Sequence, residues 1–122
     1  MTFTNQLSEE LKQKAKALEA RYRGRCVKRG IPSHMHDGIV GYLVYGQPTG
    51  SFLNHVLHNR LVDSLGKADS ENLRAIYSYG DLLYNDFPMS AWRTEENVDR
   101  WIESGGLIGQ ELKKEENDGT TA

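Results

Sequence analysis

At 122 residues and a formal net charge of −2, the chain has the size of one domain around a single modest core. An apolar content of 38% and a mean hydropathy of −0.64 predict solvated ends around a smaller packed centre, with no run near the ~20 apolar residues of a membrane span. One cysteine, Cys26, excludes an internal disulfide or a cysteine-built zinc site, and the lack of a secretory signal pattern predicts a soluble, cytoplasmic protein.

Charge is unevenly spread. Residues 1–30 hold eight Lys or Arg against three acids, and residues 31–122 hold seven against fourteen. Arg21, Arg23, Arg25, Lys28 and Arg29 fall within nine positions. An acidic body behind that cluster argues against a nucleic-acid partner. Cations at a helix C-terminus, offsetting the macrodipole, account for it more simply.

Taken in order, residues 5 to about 23 predict a first helix with a thin apolar stripe of Leu7, Leu11, Ala15, Leu18, Tyr22 and Cys26, ending at Gly24 and Gly30. So thin a stripe suits a helix lying across the domain or against a second copy. Ser33 is the expected N-cap of a second helix that ends at Gly46, with Met35, Ile39, Tyr42 and Leu43 inward. After the breakers Gly46, Pro48 and Gly50, a third helix runs to Gly66. Its Leu53, Leu57, Leu61 and Ser64 face the core, while Ser51, His55, His58, Asn59 and Val62 share the other side. Asp69 or Ser70 caps a fourth helix with Leu73, Ile76, Tyr77, Gly80, Tyr84 and Phe87 inward, stopped by Pro88. Gly80 in that stripe, like Gly38 and Gly41 in the second helix, predicts a close helix approach, since each costs about 1 kcal/mol against Ala. Thr94 caps a short fifth helix with Val98, Trp101 and Ile102 inward, ended by Gly105 and Gly106. From Glu111 the composition predicts a mobile tail. The expected fold is all-α: a basic first helix over 1–30 used for docking or oligomerisation, a helical core over 31–110, and a tail over 111–122. The whole is a bundle of about five helices. Tyr45 and Tyr79 lie off the stripes and are expected on the surface.

For chemistry, His34 with His36 and His55 with His58 form the histidine set. Neither pair has the further ligands that zinc requires, so no metal and no cofactor are expected. The Gly46–Ser51 segment lacks the spacing, lysine and preceding strand of a phosphate loop. It retains the N–H groups of a helix start, which suit a small anion beside His34, His36 or Arg60. Cys26 reads as a core cysteine, and no catalytic elbow or paired-carboxylate motif occurs, so the chain reads as a non-enzyme with no catalytic residues.

One resemblance runs through the middle of the chain. Ile31-Pro32 with His34, Tyr42, the run Gly46–Leu61, Ala68-Asp69 with Asn72, Tyr84-Asn85, Pro88 and Trp92 stand in an order and spacing that resemble a family of small all-helical proteins of phages, prophages and mobile elements, uncharacterised in activity. The likeness covers about residues 31–101. It departs at Trp92-Arg93-Thr94, where the family pattern has Trp-Gly-Ser, so the capping hydroxyl is kept and the glycine lost. The resemblance places His34, Asn59, Asn85 and Trp92 in the shared pattern and implies a binding protein acting in a bacterial host's cytoplasm. With the polar face of the third helix, the candidate ligand residues are His34, His36, His55, His58, Asn59, Arg60, Tyr84, Asn85 and Trp92. The expected partners are a second copy of the chain and a small anionic, nucleotide-derived ligand. The alternative is an inhibitor or adaptor acting on a host protein.

Overall fold

In the structure, a computed structural model that describes residues 8–121 and the side chains of residues 8–116, the chain is helical almost throughout. The order is α1 (Glu9–Arg29), α2 (His36–Tyr45), α3 (Ser51–Leu57), α4 (Leu61–Lys67), α5 (Ser70–Arg74), α6 (Ile76–Asp86), α7 (Glu95–Ser104) and α8 (Gly106–Thr121), with 3-10 turns at Ser33–Met35 and Met89–Ala91. The expected third and fourth helices are each split in two, and α8 is additional, which turns five helices into eight. Leu7 of the first expected stripe lies outside the described residues.

Ser8 starts α1 by accepting from the Leu11 N–H at 3.2 Å. The helix runs through Gly24 and ends at Gly30, φ 78°, so its end lies six residues beyond the one expected near 23. One internal glycine costs about 1 kcal/mol, less than the burial of Tyr22 and Cys26 on either side of it returns. The helix lies across its own domain against α2, α6 and α8. Its basic end is tied down by Arg29, which donates to Asp86 at 2.8 Å and to Asp81 at 3.1 Å, and by Arg23, 2.6 Å from Asp37. Burial pushes the Cys26 thiol up to about 11, against the pull of Arg23.

The second helix is the centre. Every residue from Ile39 to Val44 is buried, as expected of a helix covered on all sides. Ser33 does not cap it: the chain enters by a 3-10 turn, and no side chain caps α2. Two hydrogen bonds fasten the later chain to this helix. The Tyr42 hydroxyl donates to the Ala91 carbonyl at 2.5 Å, and the Trp101 indole N–H donates to the Tyr42 carbonyl at 2.9 Å. Where α2 ends and α8 begins, backbone meets backbone. A Cβ at Gly106 would lie 2.6 Å from the Gly46 nitrogen and 2.7 Å from the Leu43 oxygen. Both glycines take left-handed φ values, 71° and 67°, where Cβ is disfavoured.

The stripe of α6 is rotated from its expected position. Tyr79, Leu82, Leu83 and Phe87 are buried, while Leu73, Tyr77 and Tyr84 are exposed. Asp86, held inside by Arg29, lies on the same side as Tyr79, Leu82 and Leu83, and the Tyr79 hydroxyl reaches Asn72 Oδ1 at 2.6 Å. Those polar anchors select between two apolar lines of equal periodicity. The expected tight crossing at Gly80 is absent, since nothing lies within 4 Å of its Cβ position, and the neighbour of Gly41 is the Gln47 side chain rather than another helix. Tyr79 is therefore a core residue, and Tyr45 is half-buried with its hydroxyl on Glu19 at 2.6 Å. Thr94 caps α7, and Ile108 of α8 is fully buried. Glu111 pairs with Lys14 at 2.9 Å, after which Lys113 to Glu116 are exposed.

Candidate functional site

The break between α3 and α4 makes the site. Asn59 sits at φ 61°, a left-handed position that Asn tolerates better than other side-chain-bearing residues. The Asn59 N–H donates to the Val56 carbonyl and the Arg60 N–H to the His55 carbonyl, both at 3.0 Å, which closes α3 as a Schellman motif. The chain then turns into α4, whose Ser64 is buried and bonds back to the Arg60 carbonyl at 2.6 Å. Because the axis changes at Asn59, Leu61 leaves the core line and is 63% exposed, contrary to the stripe expected of one unbroken helix. The Arg93 N–H donates to the Leu57 carbonyl at 2.8 Å, and that bond lays the 88–94 connection across the end of α3.

Between α4 and α6 this arrangement leaves an open cleft of about 260 Å³. Asn59, Arg60, Leu61 and Ser64 form one wall, Tyr79, Gly80, Leu83 and Tyr84 the other, and Val56, Ile76 and Trp92 also line it. Four of the nine residues singled out from the sequence therefore meet: Asn59, Arg60, Tyr84 and Trp92. Arg60 is half-exposed, and its charge meets Glu95 at 3.7 Å, longer than a direct hydrogen bond. Burial raises the Tyr79 phenol far above its ordinary value, so that wall stays neutral. The Trp92 indole N–H is buried with no acceptor among the described residues, an uncommon condition for a buried donor. Arg93, at φ 90°, stacks its guanidinium 5.1 Å from the centre of the same indole.

The other five residues lie elsewhere. His34 Nε2 meets Asp69 at 2.9 Å in a second, larger hollow of about 380 Å³, which also holds Thr49, Gly50, Ser51 and Lys67. The sequence placed His34 near the Gly50–Ser51 turn, and the structure agrees. His36 is instead spent on the Ile31 carbonyl at 2.9 Å, and the Asn85 amide on Asp81 of its own helix at 2.9 and 2.7 Å. His55 and His58 were expected on an open polar face. Both are half-buried, and His55 Nδ1 and both ring nitrogens of His58 are buried without a partner among the described residues. They line neither cavity. Comparison with protein-family models, curated proteins and solved structures finds no match. The site is read from its geometry. No group of three or more His, Cys, Asp or Glu placed to hold a metal occurs among the described residues, and no described helix is long and apolar enough to cross a membrane.

On the opposite wall, sequence reasoning named Tyr84 and missed Tyr79, Gly80 and Leu83. Gly80 was the available signal: a glycine inside a helix with nothing packed on it leaves a hole, and here the hole is part of the cleft.

Proposed function

We propose that the protein is a non-enzymatic binding protein that takes a small, flat, anionic ligand of nucleotide type in the α4–α6 cleft and acts as a homo-oligomer. The observation that carries this reading is a largely apolar cleft lined by Trp92, whose buried N–H no described residue accepts, beside one cation, Arg60. Apolar walls favour a planar ring, the indole N–H asks for an acceptor, the Asn59 carboxamide suits a base edge, and Arg60 suits a phosphate. The resemblance to small phage proteins supports a setting in which such a protein removes a nucleotide-type defence signal of the bacterial host. A second reading, an inhibitor or adaptor for a host protein, draws on the exposed Val62, Leu73 and Tyr77 near the cleft.

Thermal-shift and calorimetric titrations with mononucleotides and cyclic dinucleotides test the first reading. A ligand at about 100 times its Kd raises stability by about 2.7 kcal/mol. Arg60→Ala should weaken binding about tenfold or more, the loss of one charge-assisted contact. No shift with any of these compounds at millimolar concentration refutes the reading.

A further inference from the structure

We infer that two copies of this chain join face to face through the α4–α6 surface, each roofing the other's cleft, so that the ligand site is complete only in the dimer. The roofed site rests on the binding reading above; the dimer surface stands on separate observations. Of eight large apolar side chains that are exposed among the described residues, six lie between positions 61 and 84: Leu61 (63%), Val62 (79%), Leu65 (38%), Leu73 (49%), Tyr77 (82%) and Tyr84 (76%). Tyr77, Gly80 and Tyr84 follow one another at three- and four-residue steps along α6, and Leu61 and Leu65 are one turn apart on α4. Leu61, Gly80 and Tyr84 also line the cleft, so the patch and the cleft are one surface.

Summed residue by residue, these six expose on the order of 800 Å², about what one partner gives to a standard interface. Charge favours a second copy as the occupant. From Arg60 to Tyr84 the chain carries Arg60, Lys67 and Arg74 against Asp63, Asp69, Glu71 and Asp81, and Asp81 is already paired with Arg29. A balanced surface can meet itself across a two-fold axis without like-charge repulsion, and it offers nothing to a strongly charged partner. The apolar stripe of α1 is buried inside its own domain, which leaves α4–α6 as the apolar face. The cleft itself lacks a wall: at about 260 Å³ it is smaller than the ~300–1,000 Å³ of small-molecule sites, and its rim residues Leu61 and Tyr84 stand mostly in solvent.

The test combines light-scattering mass over a concentration series with calorimetry of AMP and cyclic di-AMP, on wild type, Val62→Glu and Tyr77→Lys. Both substituted positions are exposed and neither lines the cleft, so circular dichroism melts should match wild type. Wild type is expected at twice the 13.8 kDa chain mass and each variant at 13.8 kDa, with nucleotide binding at least tenfold weaker in the variants. A wild-type monomer, variants that remain dimeric, or a stoichiometric complex with a different protein through Val62 and Tyr77 overturns the surface. Monomeric variants that bind as tightly as wild type overturn the shared site and leave the binding reading intact. A dimer that binds neither nucleotide, nor any compound of the wider screen, overturns the binding reading and the roofed site with it.

Discussion

Replacing Gly106 by alanine should destabilise the fold far more than a single methyl group ordinarily does. The residue takes φ 67°, where an L side chain costs about 1–2 kcal/mol. Its Cβ would fall 2.6, 2.7 and 2.8 Å from the Gly46 nitrogen, the Leu43 oxygen and the Val44 carbonyl carbon. All three are backbone atoms, so no side chain can swing away. The start of α8 has to retreat from the end of α2, an overpacking penalty of about 1–3 kcal/mol. The combined loss of roughly 2–5 kcal/mol corresponds to a Tm fall of about 8–20 °C in a domain of this size. Gly80→Ala is the counterpart. With nothing within 4 Å of its Cβ position and no positive φ, it should gain about 1 kcal/mol of helix propensity. Thermal melts at 222 nm, checked against urea midpoints, measure both. A Gly106→Ala Tm within about 2 °C of wild type, or a larger fall for Gly80→Ala, refutes the packing argument.

Asn59→Ala should cost about 1 kcal/mol by urea titration, because φ 61° suits alanine poorly, while Asn59→Gly should be near neutral; equal losses in the two would deny the left-handed turn its role. Cys26, with its thiol raised to about 11, should react with a disulfide reagent at pH 8 roughly 100-fold more slowly in the folded than in the urea-unfolded chain, and comparable rates would contradict its burial. The Asp69 carboxyl is held below its ordinary value, chiefly by the Asn72 N–H and also by His34. A depressed carboxylate stabilises above its unfolded value of about 4 and loses that contribution as pH falls through the lower folded value. Asp69→Asn should therefore flatten the acid limb of Tm against pH below about 4, and an unchanged limb would place the acid sensitivity elsewhere.

Caps and centre were legible because they are local. Gly46, Thr94, Asp69 and Gly105 all do what their residue types predict, and α2 announces its burial by lacking a polar side. The breaks were not legible. Nothing in the periodicity of 51–65 shows that Asn59, rather than Gly66, interrupts it, because Asn enters the left-handed region only where tertiary contacts, here Arg93 on the Leu57 carbonyl, reward the turn. The α6 stripe failed for a related reason. Its two apolar lines differ little in hydrophobicity, and the choice rests on Arg29, 57 positions from Asp86. The site inherited both errors. One wall was found through Asn59 and Arg60, whereas of the opposite wall only Tyr84 was named, Gly80 being assigned to the interior and Tyr79 to the surface. Arg93 is a separate case: its φ of 90° is a strained position beside the cleft that nothing in the local residue pattern announces.

The short helix α4 rests on α3, with Ser64 as its one fully buried side chain and its leucines outside. Segments with so little interior surface open at a free energy well below that of the whole domain. The gap between α4 and α6 is therefore adjustable: α4 can swing while the seam of α2 with α8 stays shut. A guest too bulky for the resting gap would be charged only for that local swing, and slowed amide exchange across 61–67 would report its arrival.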